Sequence, residues 1–210
     1  MKFKKKKYTI ARKAILKDLC FFLNTYFSMK KQVAKTLFET RSISPFTNYF
    51  GVWTDAQIPN TYSHYADIAM ETLLLKLQPL MEKETGLKLT PTYSYARIYK
   101  KGDVLKRHKD RSSCEILGGD PWDIYLEPNK NVGRPAEGPY TPTTNKGIKV
   151  SLKPGDMLIY SGCELEHWRE EFKGEECSQV FLHYNIKNKK SIVFDGRPHL
   201  GLPDFFCKRN

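Results

Sequence analysis

At Gly86 the hydrophobic period of this chain changes, and the change decides which folds are open to it. Before that point apolar residues recur at three- and four-residue intervals: in AILKDLCFFLNTYF, residues Ile15, Leu16, Leu19, Phe22, Leu23 and Tyr26 make one buried face of a helix. SHYADIAMETLLLKLQPLMEKETG predicts a second helix, running from a cap at Ser63 to a stop at Gly86, with Pro79 bending or breaking it. After Gly86 come short strands separated by turns: KLTPTYSYARIYKKGD, WDIYLEP, GIKVSLKPGDMLIY and SQVFLHYNI. Helices followed by a run of strands predict an α+β chain in which amino-terminal helices buttress a β-sandwich or barrel. The turn-rich, aromatic stretch SISPFTNYFGVWTDAQIPNTYSHY between the two helices is expected to form loops packed on the later sheet.

At 210 residues with 40% hydrophobic side chains, one sizeable domain is expected across 1–210. It divides into a basic, mainly helical part (1–88), a strand-rich core (89–190) and a tail (191–210). No stretch approaches the ~18 apolar residues of a membrane span, and no apolar signal segment follows the basic start, so a soluble, cytoplasmic protein is expected. The five cysteines include no CxxC pair, which argues against both a disulfide framework and a cysteine zinc site. Of the net charge of +12, most sits early: residues 1–40 hold eleven Lys or Arg against only Asp18 and Glu39. Such a segment can track phosphates or acidic partners, which keeps nucleic acid among the candidate partners; a solvated face is the plainer reading.

The candidate chemistry begins in KRHKDRSSCE. In an extended chain His108 and Asp110 share one face, while Lys109 and Arg111 can turn the other way. An imidazole and a carboxylate converging on one point begin a metal site, and a third ligand is needed. Among the five histidines, His64 is expected to open a helix, His199 lies in a Gly/Pro-rich tail and His183 sits within an apolar strand. His167 is the best placed. It follows LKPGDMLIYSG, in which Pro154-Gly155-Asp156 makes a tight turn and Met157 to Tyr160 an apolar strand. Two histidines and one carboxylate can take adjacent positions on an iron and leave other positions open.

YARIYKKGDVLKRHKD followed by KPGDMLIYSGCELEHWRE resembles the iron(II)- and 2-oxoglutarate-dependent dioxygenases, in particular their prolyl 4-hydroxylase-like branch and its viral relatives. The resemblance covers roughly residues 90 to 187. It implies a double-stranded β-helix, a jelly-roll-like core, and it implies His108, Asp110 and His167 as the iron ligands. Tyr99, nine positions before His108, corresponds to a tyrosine that contacts 2-oxoglutarate. The implied cofactors are Fe(II), 2-oxoglutarate and O2, with ascorbate as a candidate accessory. A peptide or protein substrate, prolyl by first analogy, is implied, with a nucleic-acid base as the second choice; a viral origin would place the enzyme in host cytoplasm.

The sequence departs from this family where its basic residue normally grips the outer carboxylate of 2-oxoglutarate, since Cys177 and Gln179 stand there. A full charge carried into a partly dry pocket needs a cation or several hydrogen bonds. Tyr99 is the first candidate, Arg97 on the same strand face the second and Arg169 the third; Gln179 offers only a neutral bond, and Lys149 is a fallback. Arg169 could instead make a surface ion pair with Glu166, Glu170 or Glu171. SCEILGGDPWDIYLEP is short for the strand and turn that usually follow His-x-Asp. A cupin-type metalloprotein, echoed by Gly102, His108 and Glu115, and a non-enzymatic nucleic-acid-binding domain are the rival readings. Oligomeric state is not legible.

Overall fold

The computed structural model describes residues 2–44, 46–110, 113–128, 141–188 and 192–207. The chain opens with a short helix α1 (Lys2–Lys6) and strand β1 (Tyr8–Ala11), followed by helix α2 (Lys17–Glu39), strand β2 (Tyr62–Tyr65) and helix α3 (Ile68–Thr85). The remaining strands are β3 (Leu89–Lys100), β4 (Leu105–His108), β5 (Ser113–Gly119), β6 (Ile124–Pro128), β7 (Ile148–Val150), β8 (Met157–Tyr160), β9 (Leu165–Arg169) and β10 (Glu176–Ile186). Among the described residues these strands form two antiparallel sheets. A six-stranded sheet has the order β1-β8-β5-β10-β3-β2, and a four-stranded sheet has the order β4-β9-β6-β7.

One apolar cluster joins the helices to the outer face of the large sheet: Phe27 of α2 and Leu73, Leu74 and Leu77 of α3 pack with Ala96, Ile98, Val180 and Leu182. A second cluster draws on both sheets, with Tyr99, Leu158 and Cys177 from the large one and Leu105, Ile124, Leu126 and Leu165 from the small one. The sheets therefore face each other across a shared interior. Each buried leucine in these clusters contributes about 1.5–3 kcal/mol of transfer free energy.

Several details differ from the sequence reading. The cap of α3 is Asp67, whose carboxylate accepts from the Met70 backbone N–H, and Ser63 and His64 lie in strand β2 instead. Pro79 sits inside a continuous α3. The carbonyl it cannot engage belongs to Leu75, which is half-exposed, so solvent can satisfy that group. Gly86 ends the helix as expected, in the left-handed conformation at φ 67°. The buried stripe of α2 is Cys20, Leu23, Phe27 and Ala34, while Leu16 and Phe22 are exposed. The segment after His-x-Asp is not truncated. It forms the seven-residue β5, paired to both β10 and β8, and then β6.

The basic start is part of the fold. β1 pairs along β8, Phe3 is buried, and the Lys7 carbonyl accepts from the Ser161 N–H at 2.9 Å. Some of its charge is already neutralised, by the Lys7–Glu164 pair at 3.0 Å and the Arg12–Asp156 pair at 2.6 Å. At the other end of the chain Arg197 is buried against Glu71 of α3 at 2.7 Å, which holds the segment 192–207 on the domain. Among the described residues no helix is long and apolar enough to cross a membrane.

Candidate metal centre

β4 and β9 run side by side, and their register places His108 directly opposite His167. Asp110 follows two residues after His108, with its backbone N–H bonded to the Gly162 carbonyl at 2.9 Å. One potential ligand atom from each of the three residues lies within 4.8 Å of the others. Asp110 Oδ2 is 3.5 Å from His108 Nε2 and 3.2 Å from His167 Nε2. Ligands about 2.1 Å from a metal in adjacent octahedral positions lie about 3 Å apart, so this spacing suits one ion. Both imidazoles turn Nδ1 toward main-chain carbonyls, His108 to Lys106 at 2.7 Å and His167 to Leu165 at 3.3 Å. A proton on Nδ1 leaves the Nε2 lone pair directed at the shared centre, the tautomer a metal requires.

Burial disfavours the Asp110 charge, yet the two imidazoles overcome this and hold its carboxyl far below the ordinary range. Burial also pushes both histidines toward the neutral form. For His108 the Asp110 carboxylate outweighs burial and the pKa is raised, whereas for the fully enclosed His167 burial wins and it is lowered. Three convergent donors, two nitrogens and one anionic oxygen, fit a divalent iron.

A cavity of about 170 Å³ opens beside this trio, lined in part by Tyr93, Tyr95, Arg97 and Tyr99 of β3 and by Phe181 and His183 of β10. These four β3 residues thus share one face of the strand. Cross-strand pairing explains the composition of the wall, because Tyr93 pairs with His183, Tyr95 with Phe181, Arg97 with Gln179 and Tyr99 with Cys177. Tyr99 is fully buried, and its hydroxyl makes no hydrogen bond among the described residues. Burial pushes its pKa up to about 12, with the Arg97 and Arg169 charges opposing, so it is a neutral donor at physiological pH. An unsatisfied donor in a cavity wall beside a metal-ready trio fits a bound oxo acid.

The proposed anchors separate in space. Arg97 lines the cavity and is held by Asp55, by Gln57 Oε1 at 3.0 Å and by the Tyr95 hydroxyl at 3.2 Å. Burial works against both charges of the Arg97–Asp55 pair, but Tyr99, Tyr95 and Asp55 raise the Arg97 pKa, and Tyr95 and Arg97 lower that of Asp55. Arg169 is not on the surface. It is wholly enclosed, with its guanidinium 5.0 Å from the Trp122 ring and donating to the Trp122 carbonyl, and burial lowers its pKa to about 10. Gln179 bonds to the Cys177 thiol at 3.6 Å, and neither Arg169 nor Gln179 lines the cavity. Lys149 is paired with Asp123 at 2.8 Å.

One neighbour of the candidate metal ligands behaves differently from expectation. Lys109 is buried rather than turned outward, because the chain leaves β4 after His108 and strict alternation ends there. Arg111 lies outside the described residues, as do the side chains of β5, including Glu115. Asp55 and Gln57 were not singled out by sequence reasoning. Their signal was the pair of polar residues two apart inside the aromatic loop WTDAQIP, which can direct both side chains to one side.

No family model matches the sequence, and no curated protein sequence matches it either. Solved structures do. A prolyl-4-hydroxylase from Pseudomonas putida is similar at a TM-score of 0.56 and 12% identity, with 87% of this chain and 94% of that chain covered. SnoN, a non-heme alpha-ketoglutarate-dependent epimerase from nogalamycin biosynthesis, gives 0.53 and 13%, with 96% and 89% covered. HygX from Streptomyces hygroscopicus, solved with nickel and 2-oxoglutarate bound, gives 0.53 and 12%, with 89% and 85% covered. At such identities the likeness is one of fold, and the chain shares its fold with these three proteins.

Proposed function

We propose that this chain is an iron(II)- and 2-oxoglutarate-dependent dioxygenase that hydroxylates an unactivated C–H bond, with a peptidyl, prolyl-type substrate as the first candidate. The observation that carries this reading is the convergence of His108, Asp110 and His167 at metal-ligand spacing on a cavity wall. Support for a double-stranded β-helix core comes from the strands after β3, most of which pass from one of the two facing sheets to the other along the chain. The similarity to a prolyl-4-hydroxylase over most of both chains supports the prolyl hydroxylase-like branch.

His108 Nε2, Asp110 Oδ2 and His167 Nε2 would hold the iron, and Tyr99 and Arg97 would receive the carboxylate end of 2-oxoglutarate. The metal, with the oxo acid and dioxygen, supplies the oxidising equivalents for the hydroxylation. What the chain supplies is position. The carbonyls of Lys106 and Leu165 fix both imidazole tautomers, the Gly162 carbonyl holds the Asp110 backbone, and the apolar cluster behind Tyr99 keeps water from that end of the cavity. Tyr99 is the donor already free for a carboxylate, and the Arg97 guanidinium can add two parallel bonds. Arg169 supports this end electrostatically from behind Tyr99.

Succinate formation from 2-oxoglutarate tests the substrate class. Faster turnover with a prolyl peptide than with single-stranded DNA is expected; stimulation by DNA alone would move the assignment to nucleic-acid modification. A folded protein that binds no divalent metal at these residues would overturn the reading.

A further inference from the structure

The loop 51–61 reaches both ends of the candidate site with two residues. Asp55 Oδ2 accepts from Arg97 Nη2 and from the Tyr95 hydroxyl, and Asp55 Oδ1 accepts from the Gln57 backbone N–H at 2.8 Å. Gln57 Oε1 accepts from Arg97 Nη1 at 3.0 Å, and this bond fixes the orientation of the side-chain amide. Gln57 Nε2 then faces His108 Nε2 at 3.1 Å. Because His108 Nδ1 is directed to the Lys106 carbonyl, the Nε2 lone pair is the acceptor for that amide. The same lone pair would bind iron.

The guanidinium fork of Arg97 is likewise filled, by the Asp55 carboxylate on one nitrogen and the Gln57 carbonyl on the other. A carboxylate is the chemistry that the outer end of 2-oxoglutarate would present there. Two side chains of one short segment therefore occupy the two kinds of group that loading requires. The segment is also anchored on both sides. Trp53 packs on Tyr62 with ring centroids 4.9 Å apart, and Ile58 is buried in the shared interior, while Thr54, Ala56 and Gln57 between them are exposed.

We propose that residues 54–57 form a plug that competes with loading: Gln57 occupies the metal-facing nitrogen of His108, and Asp55 occupies the anion-binding fork of Arg97. This inference rests on the metal and cosubstrate reading above. Loading displaces both contacts, and because Trp53 and Ile58 stay in place, the movement is confined to the exposed segment between them. Release of the plug passes the Arg97 fork to the incoming carboxylate and uncovers the Tyr95 hydroxyl that Asp55 engages.

Calorimetric titration of nickel(II), an inert stand-in for iron(II), followed by 2-oxoglutarate, tests the idea in wild type, Gln57→Ala and Asp55→Asn. Loss of the Gln57 amide should tighten nickel binding about 3- to 10-fold, the worth of one ordinary hydrogen bond. Asp55→Asn removes a charged competitor and should tighten 2-oxoglutarate binding about 10-fold or more. Hydrogen exchange supplies a readout independent of either variant: the Gln57 backbone N–H, bonded to Asp55 in the free protein, should exchange faster once nickel and 2-oxoglutarate are bound. Equal or weaker binding in both variants, or slower exchange on loading, would overturn the plug while leaving the metal site standing. Wild-type protein that binds no nickel would overturn the plug and the functional reading together.

Discussion

β3 and β10 bury both of their faces, and the two faces are made of different chemistry. Toward the helices they present Ala96, Ile98, Val180 and Leu182, an apolar surface that packs on α3. Toward the small sheet they present Arg97, Tyr99, Cys177, Gln179 and His183, buried to a similar degree. The first face lowers the free energy of folding by removing hydrocarbon from water. The second does the opposite at several points, since a buried polar atom without a hydrogen-bond partner, as the Tyr99 hydroxyl and Gln179 Oε1 are among the described residues, costs about 1–3 kcal/mol. The same two strands carry both faces, so the polar face is not imposed by secondary structure. The proposed function accounts for those of its groups that line the cavity, Arg97, Tyr99 and His183, as contacts for a bound cosubstrate or substrate.

The comparison can be broken first at the proposed metal ligands. Asp110→Ala removes the anionic member of the proposed ligand trio, and divalent metal affinity should fall more than about 100-fold while the metal-free protein still folds, its thermal midpoint lowered only by loss of the carboxylate's contacts with the two imidazoles. Calorimetry and a melting curve check both halves. On the opposite face Leu182→Ala should show the reverse pattern, a loss of about 2–5 kcal/mol in denaturant unfolding with metal affinity of the folded protein unchanged.

Asp67 sharpens the contrast, because it is a buried polar group on the helix side whose partners are complete. Its carboxylate accepts from the Tyr26 hydroxyl at 2.7 Å, is paired with Lys30 and lies 3.3 Å from His64 Nδ1. Burial opposes its charge, but His64, Lys30 and Tyr26 prevail and its folded pKa lies far below the ordinary value. A carboxyl depressed on folding contributes stability above its unfolded pKa of about 3.9, and that contribution is lost as pH falls toward the folded value. The stability difference between wild type and Asp67→Asn should therefore be about 2 kcal/mol near neutral pH and shrink below about pH 4. A constant difference across that range would mean that the charge is not what matters at this position.

The smallest effect on folding belongs to Tyr99→Phe. Deleting an unpartnered hydroxyl should leave stability within about 1 kcal/mol of wild type, yet weaken 2-oxoglutarate binding about 5- to 10-fold. A strongly destabilised variant would show that the hydroxyl is structural and erase the contrast between the faces.

The chemistry of the site was more legible in the chain than its surroundings. His108, Asp110 and His167 could be picked out from the His-x-Asp spacing, the place of His167 just after an apolar strand and the resemblance of the two segments to a known family, and alternation along TYSYARIY puts Tyr93, Tyr95, Arg97 and Tyr99 on one face. Helix boundaries were less legible. Ser63 and Asp67 are both good caps by residue type, and only pairing of β2 with β3 decides that the helix begins at the second. Pro79 was read as a break because local preference says so, but a half-exposed turn can satisfy the lost bond. The positions of Asp55, Gln57 and Arg169 depend on contacts across the fold. Sequence spacing alone cannot reveal that one arginine near His167 is enclosed beside Trp122 while another, on β3, meets a loop some forty residues earlier in the chain.

The most direct test of the central claim is an anaerobic titration of iron(II) into the purified full chain, followed by 2-oxoglutarate with and without the metal. The account predicts one iron per chain, bound through His108, Asp110 and His167, and 2-oxoglutarate binding that is strong only in the iron-loaded protein. Stoichiometric iron retained by His167→Ala, or 2-oxoglutarate affinity indifferent to iron, would contradict it.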